Sequence, residues 1–176
     1  MRTVLLSLIA CTVAALLMPA AASQEPPKPG PEHERLKRME GVWEATMKMG
    51  DQESKGTMKY KMALGGLWLA SEFEGEFGGM KFQGRGLSTY DAVKMKYIEV
   101  WADSMSTSPM LMEGTYDKAG KVLTSTGEGP GIDGPNTKHK STLELKDNDT
   151  LVMTMATTGK DGKSNEMMTV TFKRKK

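Results

Sequence analysis

From position 42 onward the chain alternates apolar and polar residues with period two, the spacing of strands that bury one face. In 42–49, Trp43, Ala45, Met47 and Met49 oppose Glu44, Thr46 and Lys48. In 57–62, Met58, Tyr60 and Met62 oppose Thr57, Lys59 and Lys61. In 67–77, Leu69, Ser71, Phe73 and Phe77 form the inner set against Glu72, Glu74 and Glu76. Similar segments at 80–87, 95–103, 110–116, 122–128, 138–146, 151–157 and 166–173 bring the expected strands to ten. The breaks are turn-like: Gly50-Asp51, Gly78-Gly79, Asp91 to Lys94, Asp117 to Gly120, Asp147 to Asp149 and Gly159 to Gly162.

So high a strand content requires protected edges, because an open sheet would leave backbone groups free to template aggregation. Short, regularly spaced hairpins favour an antiparallel up-and-down β-barrel of about ten strands, with a sandwich as the alternative. One helical pattern, 32–39, carries Leu36 and Met39 on one side, stops at Gly41, and is expected to close one end of the barrel.

Residues 1–22 read as a secretory signal peptide. Arg2 precedes an apolar stretch, Pro19 breaks it, and Ala20-Ala21-Ala22 offers the small residues a peptidase needs. The expected location is therefore outside the cytoplasm, in a bacterial periplasm or secreted, without stable membrane insertion after cleavage. Two other readings stand beside it: Leu8-Ile9-Ala10-Cys11 resembles a lipobox, and the uncharged run approaches the length of an uncleaved anchor. Positions 23–34 carry four prolines and read as a polar spacer, leaving 35–176 as one barrel domain.

Composition narrows the chemistry. Of 24 basic residues only Arg2 lies in the leader, so the mature domain is nearly neutral against 22 acidic ones. That excludes the broad positive field of nonspecific nucleic-acid binding. The one cysteine, Cys11, leaves with the leader, and disulfides and thiolate catalysis leave with it. The oligomeric state is not written in the sequence.

Gly41-Val42-Trp43, after a short helix, resembles the Gly-x-Trp signature of the calycins, the lipocalin and fatty-acid-binding-like barrels. That resemblance implies a basic side chain, Lys173 or Arg174, lying over Trp43. Further on, Leu64-Gly65-Gly66, Thr89-Tyr90-Asp91, Trp101-Ala102-Asp103-Ser104 and Glu113-Gly114-Thr115-Tyr116-Asp117 fall in an order similar to the uncharacterised bacterial family called domain of unknown function 1579. The resemblance runs from Leu36 to about Phe172. The family pattern often places a basic residue after Gly-Gly, where this chain has Leu67. It implies a calycin-like barrel, with an export signal in many members, and brings no established activity.

Gly129-Pro130-Gly131-Ile132-Asp133-Gly134 matches a dinucleotide-binding string, but Pro130, Pro135 and the lack of a following helix remove the setting in which such a loop holds a pyrophosphate. Gly162-Lys163-Ser164 lacks the leading glycine of a P-loop. No motif supports an enzyme. His33 belongs to the spacer and is expected in solvent. His139 shares parity with Ser141, Leu143 and Leu145 and should point inward, either as a hydrogen-bonded interior histidine or as a haem ligand of the kind found in nitrobindins, which are also calycin barrels. The pairs Met47/Met49, Met58/Met62, Met110/Met112 and Met153/Met155 share faces; they line a pliable core or offer soft ligands to Cu(I). Glu99, Trp101 and Asp103 share parity with Tyr97, and Ile98, Val100 and Ala102 take the other side, so this strand does not declare its inner face. If the first set points inward, two carboxylates enter the lumen.

These positions make an exported barrel that binds a small apolar molecule the leading expectation. Trp43, Met47, Met58, Tyr60, Phe73, Phe82, Trp101, Asp103, Met110, Met112, Tyr116, His139 and Met153 are the lumen candidates, with Phe172 closing it. The competing expectation is a packed barrel that serves as a structural or interaction protein of the cell envelope.

Overall fold

The computed structural model describes residues 25–131, 134–159 and 162–176; the expected signal peptide and Cys11 lie outside them. Helix α1 (Pro31–Lys37) is followed by ten strands: β1 (Gly41–Met49), β2 (Gln52–Ala63), β3 (Trp68–Phe77), β4 (Met80–Asp91), β5 (Lys96–Asp103), β6 (Met110–Tyr116), β7 (Val122–Gly131), β8 (Gly134–Asp147), β9 (Thr150–Thr158) and β10 (Ser164–Arg174). Each pairs antiparallel with its sequence neighbours, and β1 pairs with β10, so the sheet closes as an up-and-down barrel rather than a sandwich. Among the described residues no helix is long and apolar enough to cross a membrane.

Directly opposed residues share a face, and the ladder carries the inner set around the wall. One row runs Met62, Leu69, Ser88, Glu99, Met112, Gly127, His139, Thr157. Another runs Tyr60, Ser71, Gly86, Trp101, Met110. The strand β5 therefore faces the lumen with Tyr97, Glu99, Trp101 and Asp103 and solvent with Ile98, Val100 and Ala102. β2, β4 and β8 are longer than their periodic segments because the ladder continues through Lys55, Tyr90 and Thr137.

Closure forces tight curvature, and inward glycines supply it. The Trp101 indole lies across Gly84, where a Cβ would sit 2.0 Å from its ring; the Phe73 ring presses on Gly56 in the same way, at 2.3 Å. At the end of β7 the ladder shifts: Gly129 faces Thr137 and Gly131 faces Gly134, so Pro130 stands opposite two residues of β8 in a bulge whose extra residue lies on β8. Proline has no N–H for the ladder, so a bulge is where a strand can hold it. The glycine-rich string is therefore the end of a hairpin strand, though its Ile132 and Asp133 lie outside the described residues.

The helix closes one end of the barrel, but it begins at Pro31, inside the segment expected to be spacer. Pro31 presets the first turn, and the Gly30 N–H donates to His33 Nδ1 at 3.0 Å. His33 is consequently buried, not solvated as expected. Leu36 and Met39 pack on Trp43, whose Nε1–H donates to Met39 O at 2.8 Å. Arg174 lies 4.1 Å above the Trp43 ring and donates to Glu40 O, to Arg38 O (2.9 Å) and to Asn148 O (2.9 Å). Of the two basic residues implied by the resemblance, Arg174 takes the role. Lys173 instead reaches Thr150 Oγ1 at 2.7 Å.

Candidate functional site

All thirteen lumen candidates project inward, at different depths. Trp43, Met47, Met58, Phe73 and Met112 are buried, with Phe172 beneath the helix. Tyr60, Phe82, Trp101, Tyr116 and Met153 pack against this core while keeping part of their surface open, and Met110 is half-buried opposite Trp101. Asp103 lies at the rim, where it accepts from Trp101 Nε1 (3.0 Å) and from the Met105 N–H (2.9 Å). It orients the indole and caps a turn, so of the two β5 carboxylates Glu99 is the one carried into the middle of the wall.

Glu99 is the residue that periodicity left undecided. Its Oε1 accepts from Ser125 Oγ at 2.6 Å, its one hydrogen bond among the described residues. Burial raises its pKa, with Ser125 partly opposing. The same low-dielectric surroundings raise Tyr60, chiefly by burial and then by the nearby Glu99 charge. Tyr116 is pushed up to about 12, again by burial first, then by Tyr97 and Glu99. A carboxyl and two phenols thus share a poorly hydrated interior.

His139 lies three strands away on the row of Glu99, with Met112 and side-chain-free Gly127 between them. Its ring is 3% exposed. Nε2 sits 3.0 Å from Pro130 O, where the ladder register shifts. A carbonyl only accepts, so Nε2 carries the hydrogen, and in the neutral ring Nδ1 is left as an acceptor. That Nδ1 is buried and has no partner among the described residues. Buried polar atoms without partners are rare in native structures and ask for an explanation.

Among the described residues no group of three His, Cys, Asp or Glu side chains could hold a metal ion. Of the methionines expected as Cu(I) ligands, Met47, Met58, Met62 and Met153 belong to the apolar core packing. Two clefts mark the barrel ends. One of about 10 Å³ lies between the helix and the wall at Arg35, Tyr116 and Leu145; another of about 20 Å³ lies by Met47, Met49 and Phe77. Each takes no more than a water, so anything larger must displace side chains to enter.

The architecture is that of a calycin-like barrel. The chain matches the family described as "Protein of unknown function (DUF1579)" over residues 28–174 and belongs to it. No curated protein matches it. Among solved structures it resembles Rv2717c from M. tuberculosis, at 14% identity and TM-score 0.61, with 84% of this chain and 99% of that one covered. It also resembles the S-type phycobiliprotein lyase CPES from Guillardia theta, at 11% identity and TM-score 0.55, over 84% and 99% of the two chains. At such identities the likeness is one of fold.

Proposed function

We propose that this is an exported protein, periplasmic or secreted, that binds one small, largely apolar molecule inside its barrel. The observation that carries the reading is the lumen wall itself. Tyr60, Glu99, Trp101, Met110 and Met153 point inward and yet keep accessible surface, and the buried Nδ1 of His139 lacks a partner among the described residues. A solidly packed interior favours neither feature. The exporting leader rests on the sequence pattern of 1–22. A barrel of the same fold in the phycobiliprotein lyase is compatible with this reading.

Native mass spectrometry of the protein purified from its source is expected to show a bound small molecule, and N-terminal sequencing a start near Gln24. A uniformly empty barrel would count against binding; an intact leader would count against processing. Haem at His139 and Cu(I) on the methionine pairs are separate readings. A Soret band after reconstitution tests the first and competition with a Cu(I) chelator the second.

The envelope-protein reading is favoured by one feature, the outward row Leu87, Val100, Leu111, in which both leucines are exposed. Its test is whether Leu111→Lys abolishes a specific association that the unmodified protein makes.

A further inference from the structure

The chemistry of the guest can be narrowed from the charges that the wall does and does not present. Among the described residues every lysine and arginine except Arg174 is exposed, and Arg174 is engaged outside the lumen with the helix carbonyls and Trp43. Arg35 reaches the interior at the helix end, 5.3 Å over the Tyr116 ring, but among the described residues no basic side chain pairs with Glu99 in the middle of the wall. A carboxylate or phosphate brought to that part of the wall would be desolvated without a counter-charge, close to Glu99.

Beside the phenols of Tyr60 and Tyr116, the wall presents two acceptors without partners among the described residues. Glu99 has Oε2 free, because Ser125 binds Oε1. His139 has Nδ1 free, because Pro130 O takes the Nε2 hydrogen. Both residues stand on one row of the ladder, and the strand between His139 and Met112 contributes only Gly127 there, so no side chain of that strand separates them. The surrounding Trp101, Met110, Met153 and Tyr60 offer apolar and aromatic surface.

We propose that the lumen selects apolar molecules whose polar end donates hydrogen bonds, a hydroxyl or an amine, and rejects those ending in a carboxylate, with Glu99 and His139 as the two receiving groups. This rests on the ligand-binding reading above and adds its specificity. Glu99 is the group that distinguishes an ammonium from a hydroxyl, through its charge. His139 receives either, since its ring nitrogen needs only a donor. Discrimination arises because a site built from acceptors leaves them unpaired when the guest brings only another acceptor.

The test is a matched series of decanol, decylamine and decanoate titrated into the processed protein, read by calorimetry and by tryptophan emission. Decanol and decylamine are expected to bind on the order of tenfold or more tighter than decanoate. Glu99→Gln should weaken decylamine more than decanol, whereas His139→Leu should weaken both. Should His139→Leu fail to fold, the wild-type series and Glu99→Gln decide alone. Decanoate binding as well as the alcohol, or Glu99→Gln leaving the amine unaffected, overturns the proposal while ligand binding stands. If none of the three binds, the guest carried from the source decides. An alcohol or amine supports the proposal, an acid overturns it, and an empty barrel removes the binding reading and this specificity together.

Discussion

Arg174→Ala tests the closure of the barrel most directly, and its cost can be worked from the contacts. The guanidinium stacks 4.1 Å from the Trp43 ring, an interaction of ~0.5–1 kcal/mol at a partly wet site. It also donates to three backbone carbonyls, those of Arg38, Glu40 and Asn148. Hydrogen bonds from a charged donor contribute ~1.5–3 kcal/mol each when fully buried. With the side chain 26% exposed, water replaces part of each, and the Asp149 carboxylate 3.5 Å away is itself 60% exposed and adds little. The sum expected is therefore about 2–4 kcal/mol. Urea unfolding followed by tryptophan emission should show the midpoint falling with its slope unchanged. Arg174→Lys, which keeps a charge but loses the fork, should fall between. A double-mutant cycle with Trp43→Phe should leave a coupling energy of ~0.5–1 kcal/mol for the stacked pair. If Arg174→Ala loses less than ~0.5 kcal/mol, the view of this residue as the clasp between helix, first strand and last strand is wrong.

Three further outcomes follow from the same geometry. Trp43→Ala removes a fully buried indole and should cost ~3–5 kcal/mol in chemical denaturation; a loss below ~1 kcal/mol would show that the helix end is not packed as described. Gly84→Val places a side chain where the Trp101 ring lies, so the indole must leave its seat; stability should drop by ~1–3 kcal/mol with a red shift of emission, and unchanged emission would refute the contact. The raised pKa of Glu99 means that the folded state holds its proton more tightly than the unfolded chain. Below the ordinary carboxylate range there is no penalty. As pH rises from there toward the folded value, the unfolded chain releases its proton first and stability declines, and above it the loss is complete. Comparing wild type with Glu99→Gln across mildly acidic pH should show that the variant lacks this decline; parallel curves would refute it.

How much of this was legible depended on how clearly each strand chose a face. Glu44, Thr46 and Lys48 opposing Trp43, Ala45 and Met47 left no ambiguity, and the inner set of β3 was equally plain because Glu72, Glu74 and Glu76 could only be outside. β5 was ambiguous, since Ile98 and Val100 are as apolar as Tyr97 and Trp101. Its parity is set by neighbours: Met112 and Ser88 are inward, so Glu99 between them must be too. The faces of the flanking strands were the available signal for Glu99. Nothing in the composition marked the Pro130 bulge as the partner of His139, because the contact depends on a register shift that period two does not encode. The start of the helix was obscured by the prolines before it, although Pro31 at a first turn was itself a helix signal.

The seam between β1 and β10 pairs residues as distant as Trp43 and Arg174, and the clasp of Arg174 on Arg38 beside it spans 136 positions. Contacts of such separation are slow to form, and here none of them exists until the final strand has been made. Until then the nascent polypeptide is a curled ribbon with two bare margins, able to pair with a stranger. Its biosynthesis should therefore be more sensitive to chaperone supply than the stability of the finished molecule suggests, and circular permutants that move the seam should change folding yield more than folded stability.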